Sequence, residues 1–301
     1  MNTAKEYHCG YIGLIGRPNV GKSTLLNHLV GQKISITSHK PQTTRHRILG
    51  IKTSDTAQFI YVDTPGLHRP GKHAMSRYLN RAAASTLADV DVVIFIIEAC
   101  YFSEEDARVL QRLQGLKVPV VLAINKVDQL ANKDELLPFI SQMSTKMDFA
   151  AVLPISALKE VNLTELEQTL VKLLPVSEAF YPEDQVTDRN VRFLAAEIIR
   201  EKLTRLLHQE LPYNLTVEIE QFKPGEEQTL VHAVIWVERD NQKGIVIGKN
   251  GERLKEIGRQ ARLDIAKLID RRVHLELWVK VKEGWSDDER ALQSLGYKDE
   301  L

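Results

Sequence analysis

Gly16-Arg17-Pro18-Asn19-Val20-Gly21-Lys22-Ser23 is the stretch that decides the fold. It matches G-x-x-x-x-G-K-[ST] and lies where that pattern needs to lie, after an apolar run at Tyr11–Ile15 and before a helical pattern at Lys22–Val30. Glycines let the backbone curl until its N–H groups surround phosphate oxygens, and the helix N-terminus adds positive potential. Lys22 can then reach the β- and γ-phosphates, and the Ser23 hydroxyl can meet Mg²⁺. An incidental glycine turn before a helix would carry the same letters. The strand and helix on either side favour the phosphate loop.

Outward from this loop, short Val/Ile-rich runs at Phe59–Val62, Val92–Ile97, Val118–Ile124 and Val152–Ile155 read as buried strands. Helical patterns at Ala74–Ala88, Glu104–Leu113, Asp134–Met147 and Leu163–Leu173 alternate with them. That alternation predicts an α/β domain with a mainly parallel sheet covered on both faces. Ile48–Thr53 lies one short turn before Phe59–Val62, which predicts a single antiparallel edge hairpin.

The phosphate loop does not choose a base. Asn125-Lys126-Val127-Asp128, at the end of an apolar strand, does. A carboxylate can accept from N1–H and N2–H₂ of guanine, whereas adenine offers no donor at N1. Asp128 is therefore the expected base reader, with Asn125 and Lys126 bracing the loop and packing on the base. Ser156-Ala157, after Val152–Ile155, is expected to support the guanine through backbone N–H groups. Asp63-Thr64-Pro65-Gly66 ends another strand, so Asp63 can hold the water shell of Mg²⁺ and the Gly66 N–H can sense the γ-phosphate. In Gln42-Thr43-Thr44-Arg45-His46 one threonine is a second Mg²⁺ contact; Thr44 is preferred, and Thr43 competes because the two are adjacent.

Leu174-Pro175-Val176-Ser177 breaks the pattern, predicting a first domain over 1–175 and a linker over 176–189. From 190 to 301 the order becomes helix (Val191–Leu207), strands (Leu215–Phe222, Leu230–Glu238), a glycine-bearing helical stretch (Lys243–Ile269) and a strand (Val273–Val281). This is a small α+β domain. Ile247-Gly248-Lys249-Asn250-Gly251, followed by Glu252 and Arg253, places a Gly-x-x-Gly loop between two helices. Small residues there let a nucleic-acid backbone approach, and Lys249 can meet a phosphate. Lys243, Lys255, Arg259 and Arg262 cluster nearby, although Glu252, Glu256 and Asp264 are interleaved as on a solvated helix face. Trp278 on the closing strand is expected in the core. Trp285 is left open between core and base stacking. Ser286-Asp287-Asp288-Glu289-Arg290 reads as the capped start of a closing helix.

Composition sets the outer limits. With 43% hydrophobic and 27% charged residues, the 301-residue chain suits two soluble globular domains. A formal net charge of +0 provides no overall basic field, so an RNA contact must come from a local patch. Cys9 and Cys100 form neither a disulfide framework nor a metal spacing, and His8, His28, His39, His46, His68 and His73 show no ligand spacing. Nothing resembles a signal peptide or a spanning segment, so a cytoplasmic protein is expected.

The order of phosphate loop, Gln-Thr-Thr-Arg, Asp-Thr-Pro-Gly and Asn-Lys-Val-Asp resembles the translation-factor-related GTPases. Within them it is close to the Era family, over essentially the whole chain, with the Gly-x-x-Gly module resembling a type II KH domain. The resemblance implies a GTPase that binds 16S ribosomal RNA near its 3′ end and assists assembly of the 30S subunit, acting as a monomer with peripheral inner-membrane contact. Leu67 stands where Ras-like GTPases place the glutamine that orients water, which implies slow intrinsic turnover. Asn19 stands where potassium-activated relatives carry an asparagine, making K⁺ a second cofactor candidate beside Mg²⁺. Two rivals remain at this point: a GTP switch acting on proteins through a module without RNA binding, and a small-molecule phosphotransferase. Asn125-Lys126-Val127-Asp128 argues against the second.

Overall fold

A computed structural model describes residues 6–38, 40, 43–65, 74–86, 89–207 and 214–297. Gln42, Gly66 and Leu67 lie outside the described residues, as do His39, His68 and His73. The chain divides into two compact units. The first takes in residues up to Ser35, Thr44–Arg69 and Leu79–Asp188, and the second takes in Arg189–Leu301 with the described residues of Ile36–Thr43 and Pro70–Tyr78.

The first unit is built on β1 (His8–Ile15), β2 (Ile48–Thr53), β3 (Ala57–Asp63), β4 (Val92–Glu98), β5 (Val120–Asn125) and β6 (Ala151–Pro154). They form one sheet in the order β2-β3-β1-β4-β5-β6. Every pairing is parallel except β2 with β3, the expected edge hairpin. Helices α1 (Lys22–Val30), α2 (Ala74–Thr86), α3 (Glu104–Leu113), α4 (Leu136–Ser144) and α5 (Leu163–Leu173) alternate with the strands. On β4, Val93, Phe95 and Ile97 join the apolar residues of α3 and α4, and Val92, Ile94 and Ile96 are equally buried on the other face. A strand buried on both sides can hold an unbroken apolar run, which is why alternation is absent from its sequence.

Two elements differ from the sequence reading. The helix expected from Asp134 begins at Leu136, after a 3₁₀ turn at Lys133–Glu135. Pro138 has no N–H to donate, so it fits only in a first helical turn, and that pins the start. Residues 176–188, expected as a linker, are tied to the sheet: Ile51 N donates to Val186 O at 2.9 Å, Leu49 N to Asp188 Oδ1 at 3.0 Å, and Phe180 N and Tyr181 N to Gln58 Oε1 at 2.8 and 2.9 Å. They cover β2, whose unpaired edge would otherwise invite another chain.

The second unit contains α6 (Val191–Leu206), β7 (Leu215–Pro224), β8 (Thr229–Val237), α7 (Asp240–Ile247), α8 (Glu252–Ile269), β9 (Val273–Val281) and α9 (Glu289–Ser294). Its sheet runs β7-β8-β9, antiparallel then parallel. The parallel pairing needs a crossover, which α7 and α8 supply. Ile199 and Leu203 of α6, Ile257 and Ile265 of α8, and Val231, Ala233 and Ile235 of β8 form its core.

Several charges on α6 are buried, among them Glu197, Arg200, Glu201 and Lys202. Their partners explain this. Arg200 donates to both carboxylate oxygens of Glu197 at 2.7 Å and to the Thr43 carbonyl. Burial opposes the Arg200 charge, but Glu197 more than restores it and leaves its pKa above the ordinary value. Glu201 accepts from Thr37 N at 3.0 Å, Arg205 donates to Thr37 O at 3.0 Å, and Lys40 donates to Leu207 O. Two tryptophan expectations also resolve. Trp278 is 40% exposed and meets His232 edge-on at 5.2 Å, contrary to a core placement; it sits on the sheet face opposite Val231, Ala233 and Ile235. Trp285 is fully buried, stacked on Tyr297 at 6.2 Å. Asp288, not Ser286, caps α9, accepting from Arg290 N at 2.8 Å, while the Ser286 hydroxyl donates to Glu238.

Candidate nucleotide and nucleic-acid sites

The loop Gly16–Gly21 leads from the end of β1 into α1. Gly21 has φ +104°, and a Cβ there would come 2.3 Å from Asn125 Nδ2, so only glycine serves. Asn19, at φ 65°, takes the left-handed conformation that asparagine tolerates. Lys22 is buried and donates to the carbonyls of Gly16 and Arg17, each at 3.0 Å. Burial pushes its ammonium down to about 8, although Asp63 nearby opposes the shift.

Four oxygen side chains converge beside it. Ser23 Oγ donates to Asp63 Oδ2 at 2.7 Å and lies 2.9 Å from Thr44 Oγ1, and Ser35 Oγ donates to the same Asp63 oxygen at 2.8 Å. The adjacent Thr43 hydroxyl instead donates to the Lys40 carbonyl at 2.6 Å, so only Thr44 joins the cluster. Asp63 is fully buried, and burial raises its pKa against Lys22 and the three hydroxyls. Its Oδ1 is buried with no hydrogen-bond partner among the described residues. Hydroxyl and carboxylate oxygens are the hard donors that Mg²⁺ prefers, and an orphaned carboxylate oxygen suits a metal-bound water, so the residues fit that ion. Thr64 is buried with its hydroxyl 3.4 Å from Leu14 O, Pro65 follows it, and Arg45 and His46 follow Thr44. Sequence reasoning missed Ser35. It is held by Asn27 of α1, whose Oδ1 accepts from Ser35 N at 2.9 Å, and no pattern in the sequence marks either residue.

At the far end, Asn125 closes β5. Its Nδ2 donates to Val20 O at 2.7 Å and its Oδ1 accepts from Ala157 N at 2.9 Å, so one amide fastens the phosphate loop to the Ser156-Ala157 turn. Val127 N donates to Ile155 O at 3.3 Å. Asp128 is exposed, and its Oδ1 accepts from the buried Ser156 hydroxyl at 2.5 Å, which aims the carboxylate. Ser156, expected to contribute through its backbone, is thus joined to Asp128 through its side chain as well.

In the second unit Gly248 links α7 to the Lys249–Gly251 turn that opens α8. Gly248 has φ 74° and ψ 178°, a region essentially closed to other residues, and a Cβ there would lie 2.7 Å from that of Arg253. Asn250 and Gly251 are left-handed at φ 52° and 75°. Lys249 and Asn250 are exposed. Arg253 turns back to the Ile245 carbonyl at 2.5 Å, capping α7, and Ile247 packs against the core. The basic cluster is only partly available. Arg259 is paired with Glu256 at 2.7 and 2.8 Å, whereas Lys249, Lys255 and Arg262 have no carboxylate partner among the described residues.

A phosphate loop fastened by an asparagine amide to an Asn-Lys-x-Asp turn defines a P-loop GTPase domain, and a Gly-x-x-Gly turn between helices over a three-stranded sheet defines a KH domain. Comparisons with known proteins agree with both. The family model described as 50S ribosome-binding GTPase matches residues 11–126, and the KH domain model matches 210–286. GTPase Era of Ectopseudomonas mendocina is 56% identical over 299 residues, covering 99% of this chain and 100% of that protein. GTPase Era of Haemophilus influenzae is 57% identical over 294 residues, 97% of each chain. A crystal structure of Era in complex with MgGDPNP and nucleotides 1506–1542 of 16S ribosomal RNA superposes with a TM-score of 0.94 at 41% identity, covering 97% of this chain and 100% of that one. An Aquifex aeolicus Era variant bound to GDP·AlF₄⁻ gives 0.93, also at 41%. The chain belongs to the Era family of GTPases.

Proposed function

We propose that the chain is a GTP-driven switch on RNA, with residues 1–175 binding and hydrolysing GTP and residues 190–301 binding 16S ribosomal RNA near its 3′ end during 30S assembly. The family membership supports the chemistry, and the solved Era complex with that RNA segment supports the target. In this reading Gly16–Ser23 cradle the phosphates, Asp128 reads guanine, and Ile247–Gly251 with Arg253 form the RNA-contacting loop. Ser23, Thr44 and Asp63 (the last through water) would hold Mg²⁺, which neutralises charge on the phosphate oxygens.

One observation carries the switching. Thr44 stands with Ser23 and Asp63, and one peptide bond earlier the Thr43 carbonyl is gripped by Arg200 of α6. In this reading an event that moves Thr44 acts along the chain on Thr43, whose carbonyl Arg200 holds. Such coupling is reciprocal, so RNA should also bias nucleotide affinity. Crosslinking and sequencing of bound RNA, with GTP-analogue and GDP forms compared, is expected to enrich one ribosomal segment in the analogue form alone. Equal recovery from both forms would remove the switch.

Slow intrinsic turnover follows from Leu67, which cannot orient a water. On Asn19 we propose stimulation by K⁺, which a side-chain carbonyl on the phosphate loop can help to hold. GTP turnover should be faster in K⁺ than in Na⁺ at equal ionic strength, and equal rates would discard the proposal. Cytoplasmic placement with peripheral inner-membrane contact rests on the family resemblance; among the described residues no helix is long and apolar enough to cross a membrane.

A further inference from the structure

We propose that Glu98 is a positioning residue that joins the guanine-reading loop to the phosphate loop, so that the two ends of the nucleotide are held as one site. The inference rests on the nucleotide site described above. One carboxylate oxygen, Glu98 Oε2, accepts from Lys126 Nζ at 2.9 Å and from Arg17 NH2 at 2.7 Å. Lys126 belongs to the base loop and Arg17 to the phosphate loop. The link goes further, because the Arg17 carbonyl is itself an acceptor for Lys22 Nζ at 3.0 Å. A chain of hydrogen bonds thus runs from the loop that reads the base to the lysine that meets the phosphates.

A surface ion pair of this kind is usually worth little, since two mobile side chains must be ordered in water. Three features set Glu98 apart. Arg17 is already immobilised, its Nε donating to the buried Asp106 at 3.1 Å and its guanidinium lying 4.9 Å from the Tyr101 ring centre. Glu98 is paired with Asn125 in the β4–β5 register, and Ala99 N donates to Asn125 O at 2.8 Å, so its backbone is fixed against the base loop. Partial burial raises the Glu98 pKa, yet Lys126 and Arg17 more than reverse this and hold it below the ordinary value. Little ordering cost therefore remains, and a bond between charged partners keeps most of its strength. Lys126 adopts φ 69°, an uncommon conformation for a lysine, and its anchored ammonium helps to keep the loop in that shape.

The test is the release rate of a fluorescent GDP from the full chain. Glu98→Ala should speed release about tenfold, the loss expected for one charge-assisted bond. Glu98→Gln keeps the size but not the charge and should fall between. Because Glu98 acts through Arg17, the two changes should not add: Glu98→Ala should speed release less on an Arg17→Ala background than on the parent, and full additivity would count against the proposal. Thermal unfolding without nucleotide should match the parent chain, which separates positioning from folding. A folded Glu98→Ala protein with parental release would overturn the proposal. A parent chain that binds ADP as well as GDP would instead sink the nucleotide assignment beneath it.

Discussion

Asp128→Asn is expected to weaken GTP binding about 10³-fold, the loss of two hydrogen bonds to a charged acceptor, and to turn the site toward xanthine nucleotides. The carboxylate can accept from both N1–H and N2–H₂ of guanine. An amide presents one oxygen and one donor, so against guanine it sets a donor facing a donor. Xanthine carries an oxygen at C2, which accepts from that amide. The Ser156 hydroxyl, 2.5 Å from Asp128 Oδ1, could donate to the oxygen or accept from the amide of the variant, and in either orientation one donor is left against guanine. Asp128 is exposed, and stability should hold within about 0.5 kcal/mol, keeping a folding defect out of the result. Competition between GTP and XTP measured at equilibrium decides it. An undiminished guanine preference would falsify the base-reading role and with it the nucleotide class of the whole site.

The candidate nucleotide site was legible as a cluster because the chemistry proposed for it is local. Gly21, Lys22 and Ser23 must be adjacent to wrap a phosphate, and Asn125 to Asp128 must be adjacent to face a base, so spacing alone exposes them. Ser35, Glu98 and Asp106 were not legible. Each reaches the site through a partner far along the chain, as Ser35 reaches Asp63 and Glu98 reaches Arg17, and a single acid or hydroxyl leaves no spacing to read. The Thr43–Thr44 ambiguity had the same origin: two identical side chains differ only in which way the backbone turns, and that depends on Lys40 and Arg200. Strand positions followed from apolar runs, but residues 176–188 carry turn-like composition and gain their order from bonds to β2 and β3. Trp278 misled because strand position does not say which face is covered. β8 sends Val231, Ala233 and Ile235 into the core, and Trp278, across from Val234, points the other way. The buried charges of α6 were invisible for a related reason, since a helix with Glu197, Arg200, Glu201 and Lys202 reads as solvated until the bonds of Thr37 to Glu201 and of Thr43 to Arg200 are known.

Replacing Lys249 with Glu and Asn250 with Asp together should weaken binding of a single-stranded 16S 3′ RNA about 10²-fold while leaving GDP affinity unchanged. Both side chains are exposed at the tip of the Gly-x-x-Gly turn. Neither shapes the turn, which is set by Gly248 and Gly251, and aspartate tolerates the φ of 52° that Asn250 adopts. The change therefore reverses charge where a phosphate would pass and little else. Losing one phosphate contact lowers the dependence of log K on log salt by about 0.7 for a single strand, so the slope identifies the contact independently of the affinity. Gly248→Ala is a contrasting case, because its φ of 74° with ψ of 178° and the 2.7 Å approach to Arg253 would distort the loop itself. If the double variant bound RNA with parental affinity and slope, the turn would not be the RNA contact. The second unit would then be a module for proteins, and the grip of Arg200 on Thr43 would transmit the nucleotide state to a different kind of partner.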